Sequence, residues 1–273
     1  MKYRLLLSDI DGTLRPGLLP QIPTANVKAI RAIQRYGVKF AIATGRARSS
    51  IPEEMLNGLE PDYWICAAGA QVLERDGSAL ACGHMEPEQV EALTAFCTEE
   101  DYELIFAFSD GSYAYVGYEK VLRRERELGF PFHIKNGTDR SRHLTELPIS
   151  AAAQLPKEAT ERFQKEYGSL GLQFVYYMNG GCDILRPGQD KSLGLIRLAE
   201  HIGLNIDECV SVGDGNNDVG ILRTAGLSFC VEGGEPDALA AADRVCPSAE
   251  NCGVAAVCRM IWPEALSGQY DLF

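Results

Sequence analysis

Short apolar runs alternate with helical patterns in the first third of the chain. Between the first two runs, Val27, Ile30 and Ile33 recur at helical spacing, and Gly37 ends that pattern. The apolar runs themselves have the length of strands that are buried on both faces, and they cover residues 3–8, 38–43 and 61–67. Continuous apolar strands separated by amphipathic helices are typical of a parallel sheet covered by helices on both faces.

The last third of the chain has the same alternation. A helical pattern over residues 191–201 ends at Gly203, and a second helix is predicted after Asn216. The remaining elements predicted here are strands at 209–212, 227–231 and near Val245, and a short helix around Ala238. Residues 1–82 and 188–273 therefore predict one α/β core domain, a doubly wound parallel sheet of the Rossmann-like class.

The middle segment, residues 83–187, has a different pattern. Its predicted elements are helices at 87–99 and 156–167 and strands at 103–108, 113–116, 172–177 and 182–185. The sequence Ser109-Asp110-Gly111-Ser112 predicts a hairpin turn between the first two of these strands. We therefore expect an α+β domain inserted into the core domain.

The charge balance excludes some kinds of partner. The chain has 26 Lys and Arg against 38 Asp and Glu, a formal net charge of −12, and such a chain repels a phosphate backbone. No run approaches the roughly 20 apolar residues that a bilayer span needs. We therefore expect no nucleic-acid partner and no membrane span.

The cysteines carry no pairing pattern. There are nine, an odd number without any C-x-x-C pair, and Cys66, Cys209, Cys230 and Cys246 lie in or beside apolar runs. Buried free thiols are the ordinary interpretation of such positions. The sequence therefore predicts a protein of the reducing cytoplasm.

Two aspartates follow the first apolar run. Side chains two residues apart share a face of an extended chain, so Asp9 and Asp11 can approach one point, while Gly12 lets the backbone turn away. Two carboxylates that close repel each other unless a cation lies between them or one of them attacks a substrate. A solvated turn explains Asp11 and Gly12, but it does not explain Asp9 directly after an apolar strand.

More acidic residues follow a strand of the last third, in Gly213-Asp214-Gly215-Asn216-Asn217-Asp218. A dinucleotide-binding loop is excluded because it needs glycine where Asp218 stands. A calcium loop is excluded because Val219 and Ala225 occupy its obligatory Gly and Glu positions. A plain Asx-rich turn stays open for this segment taken alone.

Two further segments suit an anionic oxygen. Thr44-Gly45-Arg46 ends the second apolar run with a hydroxyl, a flexible backbone N–H and a cation. Lys191 opens a predicted helix, where a cation is unfavourable for the helix dipole. Each segment alone is weak evidence for anion binding. Thr-Gly-Arg is also an ordinary sequence at the end of a strand, and a single lysine at the start of a helix usually faces solvent.

Together, these segments resemble the four motifs of the haloacid dehalogenase-like hydrolase superfamily, in the same order: Asp9-x-Asp11-Gly12-Thr13, Thr44, Lys191 and Gly213-Asp214-x-x-Asn217-Asp218. The Thr-Gly-Arg form and the large insert are similar to the Cof-type branch, subfamily IIB, which carries a C2-class cap. The resemblance implies a Mg²⁺-dependent phosphatase that hydrolyses small phosphorylated metabolites, sugar phosphates or phosphorylated cofactors, through an aspartyl-phosphate.

The resemblance also implies a role for each residue. Asp9 would be the nucleophile, and Asp11 would protonate the leaving alcohol and then activate water. Mg²⁺ would be held by Asp9, the backbone carbonyl of Asp11 and Asp214, and Asp218 would orient these ligands. The groups implied to hold the phosphate are Thr44, Gly45, Lys191 and Asn217. In the insert, Arg142, His143 and Tyr177 are candidate substrate contacts.

The chain departs from the family pattern at two places. Ile221 stands where the family usually has Met, which keeps an apolar contact. The turn Glu232-Gly233-Gly234-Glu235 stands where the family usually has Gly-Asn-Ala, and its two added acids are expected near the rim of the phosphate pocket, where they could alter substrate choice.

Two alternative functions stay open. A phosphomutase uses the same pair of aspartates and keeps the phosphate while the sugar reorients. A non-catalytic phospholigand-binding regulator would be expected to have lost a catalytic position, whereas Asp9, Asp11, Thr44, Lys191 and Asp214 are all present.

Overall fold

The computed structural model describes residues 1–17, 19–128, 133–176 and 180–267. The chain forms two compact units. Unit 1 comprises Met1–Thr44, Pro52–Ala81 and Asp190–Phe273, and unit 2 comprises Gly45–Ile51 and Cys82–Gln189. The segment Gly45–Ile51, placed in the core domain by the sequence, thus groups with unit 2.

The elements of the described residues alternate as the apolar pattern indicates. The strands are β1 (Leu5–Ser8), β2 (Lys39–Ala43), β3 (Tyr63–Cys66), β4 (Gln71–Glu74), β5 (Ala79–Cys82), β6 (Glu103–Phe108), β7 (Gly111–Val116), β8 (Lys135–Asn136), β9 (Ser150–Gln154), β10 (Gln173–Tyr176), β11 (Gly181–Leu185), β12 (Cys209–Gly213), β13 (Leu227–Val231) and β14 (Arg244–Cys246). The α-helices are α1 (Thr24–Arg35), α2 (Pro87–Glu99), α3 (Tyr118–Leu128), α4 (Lys157–Tyr167), α5 (Lys191–Ile202), α6 (Val219–Thr224), α7 (Pro236–Ala241), α8 (Gly253–Ile261) and α9 (Pro263–Leu266).

A single sheet organises unit 1, in the order β14-β13-β12-β1-β2-β3-β4-β5. Its strands pair in parallel from β14 to β3, and β4 then runs antiparallel to β3. Strand β1 lies between β12 and β2, and its side chains are fully buried, which explains why its sequence is apolar without alternation. Leu5 and Leu7 pack in one core cluster with Leu195 and Leu198 of α5. The predicted α/β class with a parallel core sheet is confirmed.

Unit 2 has a separate, mostly antiparallel sheet, in the order β10-β11-β9-β6-β7-β8. Aromatic side chains fill its core, with Phe96 meeting Phe163 edge-on at 5.3 Å and Phe106 meeting Tyr115 at 4.9 Å between ring centroids. The α+β character predicted for the insert is confirmed. The hairpin loop is shorter than predicted, because Gly111 already pairs with Phe108 as part of β7.

Within the described part of the chain, none of the helices combines the length and the apolar character that a bilayer crossing requires. All nine cysteines lie in that part and are free thiols, and seven of them are buried.

The buried side chain of Asn26 ties the first loop of unit 1 to its last helices. Its Nδ2 donates to the Leu14 carbonyl at 2.8 Å, and its Oδ1 accepts from the Ala255 N–H at 2.9 Å. The side chain is fully buried, so both backbone groups depend on it in place of water. This residue therefore holds the loop after β1 against the start of α8.

Replacing Asn26 with alanine is expected to cost about 2–4 kcal/mol of unfolding free energy, since it leaves two buried backbone groups without their partner. Chemical denaturation of the variant beside the wild type measures this loss. The exposed Gln21→Ala serves as the control and should change stability by less than about 0.5 kcal/mol. Equal stability of Asn26→Ala and the wild type would contradict the structural role.

Candidate active site

Three of the candidate segments end neighbouring parallel strands. Asp9 follows β1, Thr44 follows β2, and Asp214 follows Gly213, the last residue of β12. Because β12, β1 and β2 are adjacent and parallel, their carboxyl ends meet at one edge of the sheet. Open α/β sheets bind their ligands at this edge.

A buried ion cluster forms at that edge around Lys191. The Lys191 Nζ donates to Asp9 Oδ1 and to Asp218 Oδ1, at 2.7 Å each. The lysine side chain is fully buried, and both carboxylates are almost so. Lys191 is the first residue of α5, and the cost of a cation there is offset because the Asp190 side chain caps this helix by accepting from the Leu193 N–H at 3.0 Å.

The loop after β1 also holds Asp214. The Thr13 Oγ1 donates to Asp214 Oδ1 at 2.6 Å. Gly12 has a φ of +90°, and a Cβ atom there would lie 2.4 Å from Asp214 Oδ2. Glycine is therefore required at position 12 both by the backbone conformation and by the closeness of the carboxylate.

Asp218 connects the cluster to the backbone that follows β12. Its Oδ2 accepts from the N–H groups of Asp214 and Gly215, at 3.1 Å each, while its Oδ1 binds Lys191. Asp218 therefore joins the backbone of the loop that carries Asp214 to the Lys191 ammonium group. The supporting role that the resemblance implies for Asp218 stays a prediction.

The carboxylates are close enough to share a cation. Oxygen atoms of Asp9, Asp214 and Asp218 all lie within 4.8 Å of one another. An all-oxygen set of acidic ligands is what Mg²⁺ prefers, and the single positive charge of Lys191 does not neutralise three carboxylates. The residues present therefore fit a hard divalent cation.

Burial and mutual repulsion shift the protonation of these acids. Burial is the largest cause that raises the pKa of Asp9 well above its usual value, and Lys191 opposes that shift. Burial, followed by the charge of Asp218, raises the pKa of Asp214 to about 7. The pKa of Lys191 is raised, because its two carboxylate partners outweigh the effect of burial. The cluster therefore favours either bound protons or a bound cation.

Asp11 is paired with a cation that the sequence analysis does not identify. Its Oδ1 accepts from Arg15 Nη2, and the Arg15 side chain is only 3% exposed although it is charged. The backbone of Arg15 also closes this loop, since its carbonyl accepts from the Gly12 N–H at 2.9 Å. A lone arginine in a loop is usually solvent-facing, so no pattern in the sequence pointed to this contact.

Three further residues are predicted to bind phosphate, namely Thr44, Asn217 and Gly45. Thr44 is buried at the end of β2, and its carbonyl accepts from the Ala68 N–H at 3.0 Å. Asn217 is half-buried in the turn after β12. Gly45 belongs to unit 2. The phosphate-binding roles of these residues stay predictions.

The candidate substrate contacts in unit 2 have other partners. Arg142 binds Asp110 and Glu146 and lies 4.9 Å from the ring centroid of Phe108. The Tyr115 hydroxyl lies 3.1 Å from His143 Nδ1. Tyr177 lies outside the described residues.

The raised pKa of Asp214 predicts how the metal-free protein responds to pH. The native state binds this proton more tightly than the unfolded state, so its stabilising contribution is present at low pH and is lost as pH rises from about 4 to about 7. Asp214→Asn lacks this dependence. In the presence of a chelator, the unfolding free energy of the wild type minus that of the variant should therefore decrease as pH rises from about 4 to about 7.

Urea denaturation at several pH values measures this difference. Adding Mg²⁺ near pH 7.5 should stabilise the wild type more than Asp214→Asn, because the cation binds only the native carboxylates. A difference between the two proteins that stays constant from pH 4 to 7 would show that the environment of Asp214 does not raise its pKa.

Comparison with known proteins agrees with this geometry. Residues 6–257 match the family model of haloacid dehalogenase-like hydrolases. The chain is 26% identical over 260 residues to the 5-amino-6-(5-phospho-D-ribitylamino)uracil phosphatase YbjI of Escherichia coli, covering 89% of this chain and 90% of that protein. It is 24% identical over 238 residues to the HMP-PP phosphatase of Yersinia pestis, covering 82% of each. The chain spans about half the length of two longer relatives.

The fold is also found among solved structures. One described as a HAD subclass IIB sugar phosphatase superposes with a TM-score of 0.82 at 23% identity, covering 94% of this chain and 98% of that chain. The predicted Cof-type resemblance and the prediction of a phosphatase-type hydrolase are confirmed. The chain belongs to the haloacid dehalogenase-like hydrolase family.

Proposed function

We propose that the protein is a Mg²⁺-dependent phosphatase that hydrolyses small phosphorylated metabolites, sugar phosphates or phosphorylated cofactors, through an aspartyl-phosphate. The observation that carries the proposal is the contact of Asp9 with the buried Lys191 beside Asp214 and Asp218. A carboxylate can attack a phosphate dianion only when cations offset the repulsion. Relatives named as phosphatases of a phosphoribityl compound and of HMP-PP support the substrate class.

In the first step, an oxygen of Asp9 attacks phosphorus and the bond from phosphorus to the ester oxygen breaks. Asp11 donates its proton to the departing alkoxide, so that an alcohol leaves and Asp9 carries the phosphoryl group. The ammonium group of Lys191 already binds Asp9 Oδ1 at 2.7 Å, which places a positive charge where the phosphate oxygens arrive. Thr44, the Gly45 N–H and Asn217 hold the other phosphate oxygens in this proposal.

In the second step, Asp11 takes a proton from a water molecule, and the water oxygen attacks phosphorus. The bond to Asp9 breaks, inorganic phosphate leaves, and Asp9 is a carboxylate again. Asp9, the backbone carbonyl of Asp11 and Asp214 would hold Mg²⁺, with Asp218 as support. When bound, this ion neutralises charge on the phosphate and on the acids.

We propose that unit 2 is the cap that excludes bulk water from the reaction and contacts the non-phosphate part of the substrate. Residues 83–187 are the proposed cap domain, and residues 1–82 with 188–273 the proposed core domain. A cap of this kind suits a small substrate rather than a polymer. We also propose a cytoplasmic location, which the free thiols support.

A phosphate-release screen over sugar phosphates, nucleotides and cofactor phosphates, with and without Mg²⁺, tests the proposed function. Release of inorganic phosphate is expected from at least one of these substrates, and only with the metal. An isomeric sugar phosphate without phosphate release would instead indicate a phosphomutase. Tight binding of a phosphorylated ligand without turnover would indicate a regulator.

Asp9→Asn should abolish turnover of p-nitrophenyl phosphate, by at least about a thousandfold, since an amide oxygen is a poor nucleophile. Steady-state rates measure the loss, and circular dichroism checks that the fold is kept. The matched control Asp76→Asn changes an exposed aspartate of the same unit and should keep the wild-type rate. A variant at position 9 that retained most of its Mg²⁺-dependent rate would refute the nucleophile assignment.

Asp11→Asn should slow turnover by roughly 10²–10⁴-fold while Mg²⁺ affinity stays close to wild type, because the proposed metal contact is a backbone oxygen. The loss should be larger for alkyl phosphates than for p-nitrophenyl phosphate, whose leaving group needs less protonation. Calorimetric Mg²⁺ titration and rates on both substrates measure these effects. Weakened metal binding with an equal loss on both substrates would argue against the acid/base role.

A further inference from the structure

The turn that departs from the family pattern lies against the loop that follows β12. It connects β13 to α7 and includes Glu232 to Glu235. The Glu235 N–H donates to the Asp214 carbonyl at 2.7 Å. The Glu235 carboxylate accepts from the Asn216 N–H through Oε2 at 2.8 Å. One residue of the turn thus binds the loop on both sides of Gly215.

The carboxylate of Glu235 binds the Asn216 N–H, although its position at the start of α7 suggests a capping hydrogen bond to that helix. Glu235 is the residue before α7, at the N-cap, but its side chain makes no capping hydrogen bond to that helix. Glutamate is also not among the preferred N-cap residues. The side chain therefore contributes to the loop rather than to its own helix.

The neighbouring glycine allows this close approach. A Cβ atom on Gly234 would lie 2.6 Å from Cys230 Sγ and 3.0 Å from the Asp214 carbonyl oxygen. Only a residue without a side chain lets the turn reach the loop at this distance. Gly234 and Glu235 therefore act together, one by approaching the loop and the other by binding it.

The two acids of the turn differ in their surroundings. Glu232 is exposed, and its backbone N–H pairs with the Cys246 carbonyl at 2.9 Å. Glu235 is half-buried against the loop. The two acids therefore differ in their contacts, since the Glu235 carboxylate accepts from a backbone amide of the loop whereas Glu232 is exposed.

We propose that Glu235 is a positioning residue that holds the backbone of Asp214 to Asn216, and thereby the Asp214 carboxylate, in the conformation that binds the divalent cation. The inference rests on the proposed function, in which Asp214 is a metal ligand. Glu235 acts through the loop, because its carboxylate accepts a hydrogen bond from that loop's backbone. A loop that is already ordered loses less conformational entropy when the cation binds.

The test compares three variants with the wild type. Glu235→Ala removes the acceptor, Glu235→Gln keeps an acceptor oxygen without the charge, and Glu232→Ala removes a nearby acid that does not contact the loop. Hydrogen exchange of the Asn216 amide, followed by NMR in the metal-free protein, reports the hydrogen bond itself. Calorimetric Mg²⁺ titration and the Mg²⁺ dependence of phosphate release report its consequence.

In Glu235→Ala, the Asn216 amide should exchange about two to ten times faster, and the Mg²⁺ concentration for half-saturation should rise by a similar factor. The rate at saturating Mg²⁺ should stay near that of the wild type, because no group that contacts the substrate has changed. Glu235→Gln should lie between Glu235→Ala and the wild type. Glu232→Ala should match the wild type in both measurements.

Two results would overturn the inference. One is an active wild type together with a Glu235→Ala variant that matches it in amide exchange and in Mg²⁺ half-saturation. The other is a Glu232→Ala variant that weakens Mg²⁺ binding as much as Glu235→Ala does, which would show that only the summed negative charge matters. A wild type that releases no phosphate with Mg²⁺ would overturn the proposed function instead, and the amide exchange would still report whether Glu235 orders the loop.

Discussion

The buried ammonium group of Lys191, held between Asp9 and Asp218, is the interaction on which the rest of the site depends. A charge without exposure to water is stable only when its partners are close and well oriented, and removing one partner of such a group costs about 3–5 kcal/mol. The two partners lie 182 and 27 residues away along the chain. The ion cluster therefore forms only when β1, β12 and the start of α5 are in register, so the same contact that places a cation beside Asp9 also specifies the fold.

The same cluster is left with an excess of negative charge, and this explains its relation to a metal ion. Burial and repulsion raise the pKa of Asp9 and that of Asp214, so these carboxylates bind protons more readily than exposed ones, and a divalent cation would compete with the protons. Metal binding should therefore become stronger as pH rises toward neutrality. Thr13 and Gly12 keep the Asp214 carboxylate in place, one by a hydrogen bond and the other by leaving room for it.

Much of this arrangement could be predicted because it rests on local patterns. The apolar runs gave the strands of the parallel sheet, and the rule that parallel strands end at one edge brought Asp9, Thr44 and Asp214 to the same side. The antiparallel strand β4 was not predicted, since a short strand after a turn has no distinct period. The contact of Arg15 with Asp11 was not predicted for a different reason. Whether an arginine is buried against Asp11 depends on the conformation of the loop after β1, and the spacing of residues in the sequence does not indicate that conformation.

The two departures from the family pattern lie in different surroundings. Ile221 is fully buried in the cluster that contains Leu5 and Leu195, and its carbonyl accepts from the Ser211 hydroxyl at 3.1 Å. Glu235 binds the backbone of the loop that carries Asp214. Ile221 contributes buried apolar packing, whereas Glu235 contacts the backbone of the acidic loop. A contact to the loop backbone can adjust how firmly the loop is held without changing a carboxylate of the cluster, so the effect that we propose for Glu235 concerns metal affinity rather than the choice of substrate.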